Sequence, residues 1–343
     1  MRPGFVQHLH PPTIPAAQAR WRHTLGAGGI AIFLALVLAI TGILEMFYYV
    51  PEPVQAAHSV QQITYHVPFG ALTRNLHYWA AQLLLVVAGI HLLRVVFTAV
   101  YSRTRRFNYL LGLALFVLVI LLDFTGYILR WDIDVCWPLV TGTNLLKTVP
   151  LLGGLLYRMA VGGGEACSTA LIRFYTWHIF GLSIFVVVLG VWHAFRVRRD
   201  GGIAVPPPKK RAAPERISRD ELVRREVLAM LVVGAALLLL ASVAPAPIAS
   251  AMTQPPTVTA EARAPWFFLW VQRLLQWGDP FILGVLVPLL VLAVLALIPY
   301  VLPQPAEEDI GRWFSRSGRA AQVVVSLVFV GVLALTLLQL AGA

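Results

Sequence analysis

The chain has 343 residues, 58% of them hydrophobic and only 13% charged, with a mean hydropathy of +0.75. Soluble domains run near a quarter charged, so this composition excludes a large water-facing surface and points to a bilayer. The net charge of +11 does not indicate nucleic acid, because the basic residues gather in alternate loops between apolar stretches rather than in one patch.

Residues 1–26 carry prolines and arginines and form the N-terminal segment. Seven stretches after it have about the 20 apolar residues that cross roughly 30 Å of hydrocarbon as a helix. They lie near 27–49, 77–101, 109–130, 172–197, 226–244, 281–302 and 321–341. No small-residue cleavage site follows the first, so it reads as a retained span and not a signal peptide. The fold class expected is all-α integral membrane: a four-helix bundle over 27–199, then three further transmembrane helices over 226–343. Between them, 200–225 is a basic linker rich in proline. The loops joined to the N-terminal segment hold 19 of the 27 Lys and Arg, and the opposite set holds 7, with Arg94 inside a helix. The positive-inside rule therefore predicts a cytoplasmic N-terminus and an outer C-terminus. The long outer loop 131–171 contains apolar runs suited to short surface helices. It also holds both cysteines, Cys136 and Cys167, either a disulfide in an oxidising compartment or two free thiols.

Five of the nine histidines, His8, His10, His23, His58 and His66, fall in the tail or a loop, where solvated roles are the default. The other four lie within spans. His77 and His91 are 14 apart on the second; His178 and His193 are 15 apart on the fourth. At about 100° per residue, 14 steps return to within roughly 40° of the start and 15 to within roughly 60°. Each pair thus points to one side of its helix, about 21–23 Å apart along the axis. Two such helices packed antiparallel offer one imidazole from each side at two levels, His77 with His178 near the outer face and His91 with His193 near the inner. That is the arrangement of two bis-histidine haems, His77 and His178 holding the outer iron and His91 and His193 the inner. Four separate bundle hydrogen bonds do not account for the matched spacing and depth, and a zinc site needs ligands a few ångströms apart. Intramembrane polar groups are costly and generally functional.

Glycines repeat the interval: Gly28 and Gly42 on the first span, Gly112 and Gly126 on the third, each pair 14 apart. A macrocycle wedged in the bundle needs close backbones, which glycine permits; small-residue helix packing explains any single one. Arg74 and Arg173 sit a few residues outside the outer histidines, where each suits a haem propionate or simple snorkelling; Arg198 and Arg199, beyond the inner ones, suit the inner haem's propionates, a quinone or topology alone.

The residues at this point resemble cytochrome b of Rieske/cytochrome b complexes over nearly the whole chain. The likeness runs through TGILEMFYYVPEP at 41–53, SVQQI at 59–63, FGALTRNLHYW at 69–79, HLLRV at 91–95 and TGYILRWD at 125–132. It continues through IRFYTWHIF at 172–180 and APWFFLWVQRLLQWGDP at 264–280. The wider interval on the fourth span is similar to the b6 branch, with the b6-like half and the three-helix half fused. The resemblance implies a quinol:cytochrome c-type oxidoreductase subunit in a bacterial inner membrane. Its partners would be a Rieske iron–sulfur protein, a c-type cytochrome and a second copy of the complex. Electrons from quinol oxidised at the outer face would pass through a low-potential and a high-potential haem b to a cytoplasmic-side quinone site, coupled to proton translocation.

One departure bears on chemistry. The family's outer quinol site has a Pro-Glu-Trp-Tyr motif whose carboxylate accepts a quinol proton. Here Trp266 matches its Trp, so Pro265 stands at the Glu position and Phe267 at the Tyr position. Glu45 and Asp123, near the outer ends of the first and third spans, are the replacement candidates; pairing with Arg74 or Arg130 is the alternative for either. The altered motif also leaves a second function open, a dihaem quinone-linked membrane anchor of another respiratory oxidoreductase, nitrate reductase-like, without a standard Q cycle.

Overall fold

The structure is a computed structural model and describes residues 12–164, 166–207, 215–252 and 263–342. His8, His10 and part of the basic linker lie outside these residues. Among the described residues, seven helices are long and apolar enough to span a membrane: α1 (Ala27–Met46), α3 (Gly70–Phe97), α4 (Arg106–Ile128), α7 (Leu171–Arg199), α8 (Arg219–Val243), α10 (Ile282–Val301) and α11 (Arg319–Ala341). The protein is a multi-pass, all-α membrane protein. Shorter helices α2 (Ala56–Tyr65), α5 (Ile133–Lys147), α6 (Gly153–Val161) and α9 (Leu269–Leu275) lie in the connections between spans. The expected surface helices of the 131–171 loop are α5 and α6, and Cys136 is disulfide-bonded to Cys167 across that loop.

Two spans begin about two turns before hydropathy places them, for one reason: their first turns are polar yet satisfied. In α8, the Ser218 hydroxyl accepts the Glu221 N–H (3.3 Å) and Arg225 pairs with Glu221 (2.8 Å), so a charged start is stabilised as helix. In α3, Arg74 and Asn75 lower the hydropathy but serve as donors to the end of α8. The last carbonyls of a helix lack intrahelical partners, and hydrocarbon supplies none. Asn75 Nδ2 donates to Ala241 O (2.8 Å) and Trp79 Nε1 to Ala244 O (2.7 Å). Arg74 donates to the carbonyls of Ala246 and Pro247, and the Ala246 N–H returns a bond to Asn75 Oδ1 (2.9 Å). These bonds fasten the three-helix half to the four-helix half at the end of the bundle that the charge pattern predicts to be outer, and outer and inner name the two ends in that sense.

On the inner side the N-terminal segment and the linker meet in the small sheet of the fold, β1 (Thr13–Pro15) antiparallel to β2 (Arg216–Ser218). Buried Arg94 joins them to α3, donating to the His23 carbonyl (3.0 Å) and the Ala204 carbonyl (3.2 Å). The α10–α11 connection is bound to the end of α3 through Gly311 N–H to Thr98 O (2.8 Å) and Phe314 N–H to Phe97 O (3.0 Å). Apolar packing at mid-membrane centres on Leu34, Leu84, Val119 and Leu237, drawn from α1, α3, α4 and α8. Many other apolar side chains of the spans, such as Leu36, Val187 and Leu228, point outward, as lipid-facing residues must.

Asn75→Ala leaves the Ala241 carbonyl and the Ala246 N–H without their partner, at about 1–3 kcal/mol per buried group. The expected result is a lower thermal unfolding midpoint in detergent. The control is Asn108→Ala on the inner side, whose buried Oδ1 has no hydrogen bond to lose.

Candidate functional site: two facing histidine pairs

The four intramembrane histidines meet in pairs. The His77 and His178 ring centroids are 6.3 Å apart with planes at 61°, and those of His91 and His193 are 6.4 Å apart at 80°. Two imidazoles on opposite sides of one metal ion, with bonds of about 2.0–2.1 Å and ring centres about 1.1 Å behind each nitrogen, have centroids about 6.3 Å apart. Both pairs match that span, and a direct hydrogen bond between rings would bring them closer. His58 and His66, by contrast, are exposed.

The equal separations need an explanation, because 14 and 15 residues are different rotations on a regular helix. Residues Trp177–Gly181 of α7 form a π turn. Such a turn absorbs one extra residue, so 15 positions on α7 cover what 14 cover on α3. Ser183 Oγ donates to the His178 carbonyl (2.5 Å) within this turn.

The repeated glycines lie against the histidines. A Cβ on Gly42 would stand 3.1 Å from His77 Cε1; on Gly112, 3.1 Å from His193 Cε1; on Gly126, 2.7 Å from His178 Cε1. At Gly28 the distance to His91 Cε1 is a looser 3.7 Å. The glycine interval thus makes room for imidazole edges from the neighbouring helix: α1 backs the histidines of α3, and α4 backs those of α7.

Thr41 and Thr125, each immediately before an outer glycine, set the histidine tautomer. The Thr41 hydroxyl donates to Val37 O (2.8 Å), so its oxygen is left to accept from His77 Nδ1 at 2.9 Å. Thr125 donates to Leu121 O (2.9 Å) and meets His178 Nδ1 at 3.0 Å, with the Leu122 carbonyl 3.1 Å from the same nitrogen. Acceptors at Nδ1 place the proton there and leave Nε2 bare for a metal. Sequence reasoning missed both threonines; the signal was a Thr-Gly pair repeated on α1 and α4. At the inner pair Nδ1 of His91 and of His193 is buried without a hydrogen bond of ordinary geometry, although the Asn108 backbone approaches His193.

The arginines go to varied partners. Arg74 caps α8, as described above. The Arg173 guanidinium lies against Gly162, where a Cβ would collide with Nη1. Arg198 is half-buried near the inner end of α7, while its neighbour Arg196 pairs with Asp200 (3.4 Å).

At the outer end the two carboxylates are not ion-paired. Arg130 binds Asp132 (2.5 Å) and Asp134 (3.1 Å), and Arg74 donates to carbonyls. Glu45 Oε1 and Asp123 Oδ2 are buried with no hydrogen-bond partner among the described residues. Asp123 Oδ1 accepts from Gln82 Nε2 (3.0 Å), and Gln82 Oε1 accepts from Trp266 Nε1 (2.6 Å). Pro265 opens the short 3₁₀ turn Trp266–Phe268. That turn inserts Phe267 against the mid-membrane cluster and sets Phe268 edge-on to Phe124, 5.5 Å between centroids. Gln82, which joins the turn to Asp123, was not legible in the sequence as a site residue.

A family model described as "Cytochrome b(N-terminal)/b6/petB" matches residues 82–251. The chain is 36% identical over 183 residues to a cytochrome b6 of Heliomicrobium gestii, spanning 52% of this chain and 86% of that protein. It is 32% identical over 175 residues to the menaquinol:cytochrome c reductase cytochrome b subunit of Geobacillus thermodenitrificans, spanning 51% and 78%. Among solved structures it resembles a chain of a hyperthermophilic respiratory Complex III, with a TM-score of 0.74 over 93% of this chain and 91% of that one. The identity there is 18%, so this likeness concerns the fold; it covers nearly the whole chain, whereas these sequence relatives match about half of it. Seven spans, paired imidazoles and identity over most of a cytochrome b6 agree: the chain belongs to the cytochrome b/b6 family, and haem b is the cofactor that membership implies.

Proposed function

We propose that this chain is the dihaem cytochrome b subunit of a quinol:cytochrome c-type oxidoreductase. Quinol is oxidised at the outer face and quinone is reduced at the cytoplasmic side, with an outer low-potential and an inner high-potential haem b between them and proton translocation coupled to both. The observation that carries this reading is the pair of imidazole separations, 6.3 and 6.4 Å, each the span of one bis-imidazole iron. His77 and His178 hold the outer haem, His91 and His193 the inner one. Haem b, when bound, supplies one-electron transfer. The surrounding residues orient the ligands: Gly28, Gly42, Gly112 and Gly126 admit the rings, and Thr41 and Thr125 hold the outer tautomers.

The outer quinol site is formed by Pro265, Trp266 and Phe267 facing α4, with Asp123 and Glu45 as the bases that stand in for the missing glutamate. Both have an unpartnered carboxyl oxygen, which a quinol hydroxyl can engage. Arg173 and Arg198 lie at the two ends of α7 where propionates would emerge. The complex includes a Rieske protein, a c-type cytochrome and a second copy of itself, consistent with the relative named as a menaquinol:cytochrome c reductase subunit. The N-terminus is cytoplasmic in a bacterial inner membrane. The Cys136–Cys167 bond lies in the loop opposite the basic ones, as an oxidising outer compartment favours. Pro265 in place of glutamate favours the second reading, a dihaem anchor of another oxidoreductase; copurification of a molybdenum subunit instead of a Rieske EPR signal would select it.

Three outcomes follow from the site. His77→Ala or His178→Ala loses the outer haem and keeps the inner, read as a halved reduced-minus-oxidised α-band; loss of the inner haem would refute the pairing. Gly126→Ala, whose Cβ falls 2.7 Å from His178, lowers haem content, whereas Gly28→Ala at 3.7 Å keeps it. Asp123→Asn slows quinol oxidation by about 10²-fold, the scale of a lost general base, and Glu45→Gln slows it as well. Unchanged steady-state turnover in both variants assigns the proton to water or a partner subunit.

A further inference from the structure

The hydrogen-bond chain from Trp266 through Gln82 to Asp123 has only one possible polarity. An indole N–H donates and never accepts, so the Gln82 oxygen must face Trp266, at 2.6 Å. The Gln82 amide then presents its N–H to Asp123 Oδ1 at 3.0 Å. Oδ1 is an acceptor whether or not Asp123 is protonated, and any proton on the carboxyl belongs on Oδ2. That oxygen is buried and unpartnered, on a side chain only 9% exposed. Tyr78 lies one turn before Gln82 on α3. The Trp266–Phe268 turn brings aromatic rings and no charge, and Arg130, farther along the chain from α4, is held by Asp132 and Asp134.

We propose that Gln82 is the positioning residue of the outer quinol site, docking the Trp266 turn onto Asp123 so that Oδ2 is the atom that takes the quinol proton. This rests on Asp123 acting as a base in quinol oxidation. The step is a proton transfer alone: the quinol O–H bond breaks, the Oδ2–H bond forms, and no electron moves in it. The amide of Gln82 carries no proton itself. It fixes which carboxyl oxygen is free, and a shift of the Trp266 turn pulls on the same amide.

The test uses the purified complex and two readouts. Acid-minus-alkaline infrared difference spectra locate the protonated Asp123 carboxyl as the band missing from Asp123→Asn, with no turnover required. Gln82→Leu is expected to shift that band in frequency and to slow oxidation of a decyl-substituted benzoquinol or naphthoquinol about 10-fold, with haem content unchanged. Gln82→Glu is expected to recover activity at acid pH alone, because a protonated glutamic acid can still accept from Trp266 and donate to Asp123. An unmoved band in Gln82→Leu overturns the proposal, as does a Gln82→Glu variant matching Gln82→Leu at every pH. A complex that shows the band shift but oxidises no quinol supports the link between Gln82 and Asp123 and refutes the quinol reaction instead.

Discussion

An imidazole inside a bilayer must have its N–H satisfied, because hydrocarbon offers no acceptor. At the outer pair Thr41 and Thr125 meet that need from the neighbouring helices, at 2.9 and 3.0 Å, and in doing so leave both Nε2 atoms without the ring proton. The geometry requires the backing helix to approach until its backbone touches the ring edge, and only glycine allows it. The pairing of α1 with α3 and of α4 with α7 therefore depends on Gly42 and Gly126 as much as on the histidines. The inner level keeps the glycines but has Ala27 and Leu111 where the outer level has threonine. The two levels thus differ in ligand support: outer rings braced by hydroxyls, inner rings held mainly by packing. Hydrogen bonding at Nδ1 raises the basicity of the other ring nitrogen, so under the proposed bis-histidine ligation the two levels would differ as metal ligands.

The two halves of the chain are bound at both membrane faces. On the outer side α3 supplies the donors for the end of α8, and the Asp132 carboxylate accepts the Ala249 N–H at 3.2 Å. Burial tends to raise the Asp132 carboxyl above its ordinary value, and Arg130 opposes this. On the inner side buried Arg94 gathers carbonyls of the N-terminal segment and the linker. The Trp266 turn enters the outer side from the three-helix half and reaches α3 and α4 of the four-helix half, so the proposed quinol site is assembled only when both halves are docked.

Periodicity made the seven spans and the histidine levels legible, since a 14-residue interval has a direct meaning on a helix. The 15-residue interval was legible only as a looser match, within roughly 60°, because a π turn cannot be distinguished from an α turn by composition. The starts of α3 and α8 were hidden for a related reason. Arg74 and Asn75 look like loop residues until the carbonyls they cap are in place, and those carbonyls are more than 160 positions away in sequence. Asp123 stood out as a carboxylate in an apolar span. Gln82 did not, because its role exists only through contacts to two distant elements.

Counting the haems checks the two bis-histidine sites proposed for this chain. A pyridine haemochrome assay of the purified protein, set against its protein concentration and paired with EPR of the oxidised form, gives both number and ligation. Two haem b per chain are expected, both low-spin with two imidazoles. One haem per chain, or iron held by any other ligand, would overturn the proposed sites.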